Sequence, residues 1–362
     1  MLRVAFGNAV YKSDSTTGGN AHVYQFVSNA TKLGHEIWMW PNDQHPESKK
    51  LPNSRIMQFK QLRNLDALYV RLENEPIRLL NFSRYPYKIL LGSALHILEF
   101  NTTPEFGIYL GNSEKEIRKH KKIIKYFGKG CDLAICVSRE LEYYVKEIFD
   151  IKHTVFISNG SDPELFRPDL NPVKHIRRNK EGLNIVWMGS ADIHWHNLDL
   201  LLETARLINC REESSNIQFY IIGKGLESKL IIPPNVIYVG EIEYKNLPYW
   251  LAGMDIGLIL YHQGPSFYSS PLKLFDYMSS GLTVVGTYQP QMYDVFNELN
   301  QLDLIVSKNN PEALAKILSK LLLNRERRYV QGEAGRNLII HKYNWQNLVN
   351  SIFNEIQSLL LY

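Results

Sequence analysis

Residues 269–286, S-S-P-L-K-L-F-D-Y-M-S-S-G-L-T-V-V-G, set the tightest limit on the fold. Leu282 to Val285 is a continuous apolar, β-branched run, so a strand here is buried on both faces. The spacing before it predicts a helix over 271–280. Ser270 suits its N-cap, Pro271 its first position and Gly281 the left-handed residue that stops it. A helix that delivers its chain into a doubly buried strand belongs to a parallel sheet covered by helices. The N–H groups of Leu272 and Lys273 have no partner within such a helix and lie at its positive end. They attract an anion, and Lys273 adds a full charge. Asp276 follows three positions later, on nearly the same face. A cation for phosphate beside a carboxylate for sugar hydroxyls suits a sugar nucleotide. A capped core helix with an exposed Lys–Asp pair fits the spacing equally well.

The rest of the chain extends the α/β reading. With 362 residues there is room for two domains, and 44% hydrophobic with 22% charged residues is enough for a sizeable core. A net charge of +4 does not call for a nucleic-acid partner. Cys131, Cys136 and Cys210 form neither a disulfide framework nor a metal cluster, which favours a reducing compartment. The apolar opening M-L-R-V-A-F-G-N-A-V is too short for a leader, and no stretch reaches about 18 apolar residues. The expectation is a soluble cytoplasmic protein that can still touch a membrane surface.

Leu2–Ala9 reads as a buried strand, followed by a polar loop ending in Thr17-Gly18-Gly19-Asn20. A helix is expected over 21–33, with Gly34 stopping it, and a strand over 35–40. This opens a dinucleotide-type domain, although the glycines do not spell G-x-G-x-x-G. Gly18 and Gly19 allow a ligand close to the backbone, and a plain tight turn explains them as well. Strands over 65–72 and 95–100 carry Arg71 and then Glu99 with Asn101 at their carboxyl ends, where open α/β sheets bind ligands. A buried ion pair or strand-end hydrogen bond is the competing reading. His96 reads as a core or edge residue. A further strand is expected over 132–138, with a serine cap for the next helix.

Lys115–Lys129 carries seven Lys/Arg and one Glu, with Ile117, Ile123, Ile124 and Phe127 on a helix face. A membrane-surface or acidic-acceptor patch and an ordinary solvated face both suit it. The polar, aperiodic stretch 172–181 marks a domain boundary. Strands are then expected over 184–190, 217–223, 236–240, 256–261, 282–287 and 302–306. Helices are expected over 198–209, 247–254, 271–280 and 311–323. An amphipathic helix over 345–361 must pack on a domain.

These stretches, in this order, resemble the retaining nucleotide-sugar glycosyltransferases of family 4. T-G-G-N-A with L-G-H-E resembles the glycine loop and second strand of their acceptor domain, and C-D-L-A-I-C-V-S the strand and serine before their linker. I-S-N-G-S-D-P-E-L-F-R-P is similar to the linker itself and is the most specific match. I-I-G-K-G resembles a Val-Gly-x-Gly turn, S-P-L-K-L-F-D-Y-M-S-S-G-L-T-V-V the nucleotide-sugar helix, and Y-N-W the start of the last helix.

The resemblance implies an α/β fold of two doubly wound Rossmann-like domains (GT-B) facing a central crevice. An acceptor-binding domain would span 1–168, with 345–362 crossing back onto it, and a donor-binding domain 169–344. Donor-binding positions would be Gly18, Gly19, Gly189, Ser190, His196, Gly223, Ile242, Ser270, Pro271, Leu272, Lys273 and Asp276, with Asp276 on the ribose. The first acid of the family's Glu-x7-Glu pattern falls on Tyr268, and its phosphate-binding Arg and Lys fall on Ser190 and His196. Lys273 would then be the main cation on the diphosphate, with His196 assisting. Arg71, Glu99 and Asn101 would meet the acceptor, and Glu99, Lys273 and Arg71 would serve catalysis.

The implied reaction moves a hexose, glucose first, from a UDP-sugar to a cell-surface glycan or its lipid-linked precursor. Configuration would be retained, and no metal or other cofactor is required because the helix terminus and Lys273 stabilise the leaving phosphate. Glu99 would orient the acceptor or act as base. A nucleotide-sugar 2-epimerase and a non-catalytic sugar-nucleotide-binding protein are the alternatives.

Overall fold

The computed structural model describes residues 1–7, 18–39, 51, 54–56, 64–72, 94–174, 176, 182–193, 195–210, 216–226, 232–262, 268–306 and 309–361. The chain divides into two compact units. The first comprises Met1–Asn159, Ser266–Ser270 and Trp345–Tyr362, and the second Gly160–Pro265 and Pro271–Asn344.

The first unit is built on a parallel sheet. Its strands are β1 (Arg3–Gly7), β2 (Glu36–Met39), β3 (Arg55–Ile56), β4 (Ala67–Leu72), β5 (Leu95–Phe100), β6 (Leu133–Cys136) and β7 (Thr154–Phe156). Their order is β3-β2-β1-β4-β5-β6-β7, so the winding direction reverses between β1 and β4. Helix α1 (Gly18–Lys32) follows β1. Its Phe26 packs on Phe6 and Tyr69 at 4.8 and 4.7 Å between ring centroids. The opposite face is covered by α2 (Glu114–Gly128) and α3 (Arg139–Phe149). They bury Ile124, Phe127, Leu141, Val145 and Phe149 against Val70, Leu72, Leu98 and Phe100. Ser113 and Glu116 cap α2 reciprocally, and Ser138 caps α3 as expected.

The second unit repeats the scheme. Its strands are β8 (Leu183–Met188), β9 (Ile217–Ile222), β10 (Val236–Gly240), β11 (Ile256–Ile259), β12 (Thr283–Thr287) and β13 (Ile305–Val306). Their order is β10-β9-β8-β11-β12-β13, all parallel, with the reversal between β8 and β11. The helices are α4 (Leu198–Asn209), α5 (Leu247–Leu251), α6 (Leu272–Ser279), α7 (Pro290–Glu298), α8 (Pro311–Leu323) and α9 (Arg325–His341). The last helix, α10 (Trp345–Leu360), belongs to the first unit, where Phe353 stacks on His35 at 3.8 Å.

Several expectations change. The glycine pair is not a loop: Gly18 and Gly19 form the first turn of α1. The 302–306 strand is a 3-10 turn, Leu302–Leu304, closed by the Leu304 amide on Gln301, followed by two edge residues of β13. Helices α7 and α9 were not anticipated. In α9, Gly332 and Gly335 permit close contact. A Cβ at Gly332 would stand 2.1 Å from the Gly281 carbonyl oxygen, and one at Gly335 3.3 Å from Met278. The units divide at 159/160 rather than 168/169, because 160–168 is bound to the second unit. The Ser161 amide donates to Tyr343 (3.0 Å), and buried Phe166 gives its carbonyl to Ser279 Oγ and Arg336. The loop expected over 11–20 and Trp40 fall wholly or partly outside the described residues.

Candidate functional site

The chemistry-bearing side chains collect at the carboxyl ends of strands, where open α/β sheets place their ligands: beside the reversal in the second unit, and on β4 and the next strand, β5, in the first. In the second unit the helix following β11 is α6. Its N-cap is Pro271, with no side-chain cap bond, and Ser280 closes it before Gly281 at φ 73°. Ser270 does not cap it. Its hydroxyl accepts from the Asn159 amide at 3.1 Å and its carbonyl from Asn159 Nδ2 at 2.8 Å, all within the first unit.

Lys273 extends from the first turn of α6 and donates to the Met188 carbonyl at the end of β8. Its Nζ lies 5.1 Å from the Trp187 ring centroid and 5.4 Å from that of Tyr261, within cation–π range. The ammonium therefore touches β8 and the residues just past β11, the two strands between which the winding reverses. Burial lowers its pKa to about 7. His196 Nδ1 bonds the Ser190 carbonyl at 2.9 Å, and burial and the Lys273 charge push the imidazole to about 3. The histidine is therefore neutral near pH 7 and adds no charge beside Lys273.

Gly189 and Gly223 end β8 and β9 with φ 156° and 136°. A Cβ at Gly223 would sit 1.8 Å from the Gly189 oxygen, so only glycine fits there. Leu272 is half-buried in the first turn of α6, beside Lys273. Asp276 is 5% exposed and accepts from Ser161 Oγ at 2.6 Å. Burial, outweighing that hydrogen bond, raises its carboxyl to about 7. Its partner is thus Ser161 and that of Lys273 is Met188, so the two do not present one shared face. Ile242 lines a different place, a cavity of about 400 Å³ with Val173, Glu241, Glu243, Tyr249 and Trp250 among its walls. No other expected donor residue borders that cavity. Tyr268, in the position of the missing acid, gives its carbonyl to Ser138 Oγ at 2.6 Å in the first unit.

In the first unit Glu99, at the end of β5, is 1% exposed. It accepts from Tyr69 (2.7 Å), Asn101 Nδ2 (2.7 Å) and His22 Nε2 (3.0 Å), and faces Arg71 Nε at 3.5 Å. Burial pushes the carboxyl up, but the His22 and Arg71 charges and the His22 and Tyr69 hydrogen bonds outweigh it and hold it at about 2. A fully bonded carboxylate at about 2 is a poor base near neutral pH. It anchors its neighbours, which is the buried-network reading of Arg71 and Glu99. The Arg71 guanidinium lies against the start of α1, where a Cβ on Gly19 would be 3.4 Å from it.

His22 was missed by sequence reasoning. Its Nδ1 bonds Asn159 Oδ1 at 2.9 Å, and its ring meets Trp345 edge-on at 5.0 Å. Gln25, Ser28 and Asn29 are buried on the same helix, so the position of His22 alone did not single it out. Among the described residues no group of His, Cys, Asp and Glu is arranged to hold a metal ion, and all three cysteines are free.

Loss of the Glu99 charge tests the network. Its folded pKa lies below the ordinary 4.5, so its stabilisation is present above that value and is lost as pH falls towards 2. Glu99→Gln should cost about 3 kcal/mol at pH 7, read from the urea midpoint. The gap to wild type should shrink between pH 5 and pH 3. A gap that does not change with pH would contradict the network.

Comparison with known proteins places this geometry. Residues 182–324 match the family model described as "Glycosyl transferases group 1". The chain is 30% identical over 147 residues to the putative teichuronic acid biosynthesis glycosyltransferase TuaH of Bacillus subtilis. That match covers 38% of this chain and 34% of the relative, so the chain spans about a third of the relative's length. Sucrose-phosphate synthase from Thermosynechococcus elongatus superposes with a TM-score of 0.69 at 15% identity, covering 100% of both chains. WaaG, a glycosyltransferase involved in lipopolysaccharide biosynthesis, superposes with 0.68 at 13% identity, covering 98% of this chain and 99% of its own. A glycosyltransferase from Rickettsia africae gives 0.67 at 15% identity, covering 99% and 98%. The chain thus has the two-Rossmann fold of GT-B glycosyltransferases, and its second unit carries the glycosyl transferases group 1 match.

Proposed function

We propose that the protein is a retaining glycosyltransferase that moves a hexose, glucose first, from a UDP-sugar to a cell-surface polysaccharide or its lipid-linked precursor. The observation that carries this reading is the Lys273 ammonium held at the reversal between β8 and β11, in the first turn of α6. The group transferred leaves a nucleoside diphosphate, and negative charge grows on the departing phosphate oxygen. A lysine with helix N–H groups beside it stabilises that charge without a metal ion. The relative named for teichuronic acid biosynthesis supports a polysaccharide product. Asp276, once freed from Ser161, takes the ribose hydroxyls. Arg71 and Asn101 meet the acceptor, and Glu99 holds both. No general base is needed among these residues, because in a retaining reaction the leaving phosphate oxygen can take the acceptor proton.

We place the enzyme in the cytoplasm, in peripheral contact with an anionic membrane face through α2. Lys115, Arg118, Lys119, Lys122, Lys125 and Lys129 are exposed along one side of that helix, with Tyr126 among them. No described helix is long and apolar enough to cross a membrane. The cations suit electrostatic attachment, at about 1 kcal/mol each near an anionic surface.

The purified protein, incubated with a panel of nucleotide sugars and lipid-linked or glycan acceptors, should release diphosphate with a UDP-hexose. Lys273→Ala should lower that rate about 10²-fold to 10³-fold. Release with no donor, or a new nucleotide sugar formed without acceptor, would overturn the reading in favour of a binding protein or an epimerase. Cosedimentation with vesicles containing an anionic lipid should fall when the six cations are replaced by glutamine. Equal binding by both forms would remove α2 from the membrane contact.

A further inference from the structure

The position of Lys273 depends on a second residue of its own helix. β11 pairs with β8 only as far as Leu258↔Trp187, whereas β9 pairs as far as Met188, so on the β11 side the backbone of Met188 lies one residue past the pairing. Its N–H donates to the Tyr277 hydroxyl at 2.9 Å, and its carbonyl accepts from Lys273. Lys273 and Tyr277 are four positions apart on α6 and so lie one turn apart on one face. They hold the backbone of one residue from both sides of its Cα: Tyr277 bonds the N–H of the Trp187–Met188 peptide and Lys273 the carbonyl of the Met188–Gly189 peptide. Tyr277 is fully buried, and β11 makes room for it by carrying glycine. A Cβ at Gly257 would stand 2.3 Å from the tyrosine ring. The glycine in an otherwise apolar strand is therefore part of the same device.

We propose that Tyr277 is a positioning residue: through the backbone of Met188 it holds the Lys273 ammonium between Trp187 and Tyr261, aimed at the diphosphate of a nucleotide donor. This rests on the donor reading above. A flexible four-carbon side chain loses rotamer freedom when its head is fixed, and a fixed head is what a preorganised phosphate site requires. The two rings define its lateral position, and the carbonyl its depth. Tyr277 fixes the carbonyl through Met188: without its hydroxyl the Met188 N–H loses its partner, and the residue can turn about its φ and ψ and carry the next carbonyl with it. The ammonium thus has a station set before any ligand arrives.

Three forms of the full chain test this: wild type, Lys273→Met and Tyr277→Phe. Calorimetry reads UDP affinity, and carbon-13 NMR of labelled lysine reads the Lys273 side chain, assigned by its loss in Lys273→Met. In wild type the two rings should shift its ε-protons upfield. Tyr277→Phe keeps the ring and removes the hydroxyl. It should return that resonance towards the free-lysine position and weaken UDP binding roughly tenfold. A Tyr277→Phe protein with an unmoved Lys273 resonance overturns the proposal, whatever its affinity. If Lys273→Met binds UDP as wild type does while Tyr277→Phe moves the resonance, the donor reading falls and the clamp stands. The wild type alone gives a further check that needs no variant. Its Met188 amide should exchange slowly with solvent and shift when UDP is added; a fast-exchanging amide that UDP does not move overturns the proposal.

Discussion

An ammonium group taken out of water needs partners, and the second unit is arranged around supplying them to Lys273. Among the described residues its neighbours are one backbone carbonyl, which accepts a hydrogen bond, and the faces of two aromatic rings. None of these carries a full negative charge, and burial draws the group down to about 7. A group poised in this way gains most from an anion, because an incoming phosphate supplies the charge and the acceptors the protein withholds. The helix start beside it adds to the same field.

The two units place charge at their strand ends with opposite outcomes. Glu99 is saturated: a tyrosine, a histidine, an asparagine and an arginine surround it, and it stays ionised at about 2. Lys273 is left short of partners. A saturated buried carboxylate organises its neighbours, and here those neighbours include Arg71 and Asn101. His22, the bridge from Glu99 to Asn159, also touches Trp345. Asn159 in turn holds Ser270. Asn159, Ser270 and Trp345 stand at three of the four ends at which the first unit's segments meet those of the second, and His22 joins Asn159 and Trp345 to the Glu99 network.

Patterns one element long were legible in the sequence. The apolar run after Gly281 became β12, buried throughout, and Gly281 takes the left-handed conformation its position demanded. β5 and the helices α4 and α8 have the bounds expected of them. Features that depend on distant contact were not legible. Ser270 has the chemistry of a cap, but Asn159, 111 positions earlier, takes its hydroxyl. Gly332 and Gly335 look like helix breakers until the α6 end they pack on is in place. The reach of Lys273 could be read from its place in the first turn, but its aromatic walls could not. Trp187 lies on β8 and Tyr261 just past β11, and nothing in local spacing joins them. Tyr277 left a faint trace in the glycine at position 257.

The account stands on the diphosphate being held by Lys273 at the head of α6, in the second unit. The most direct measurement is a crystal structure of the protein with UDP bound. It should show the terminal phosphate within hydrogen-bond distance of Lys273 Nζ and of the first-turn amides of α6. UDP bound with its phosphates remote from Lys273, in the cavity by Trp250 or on the first unit alone, would contradict the account.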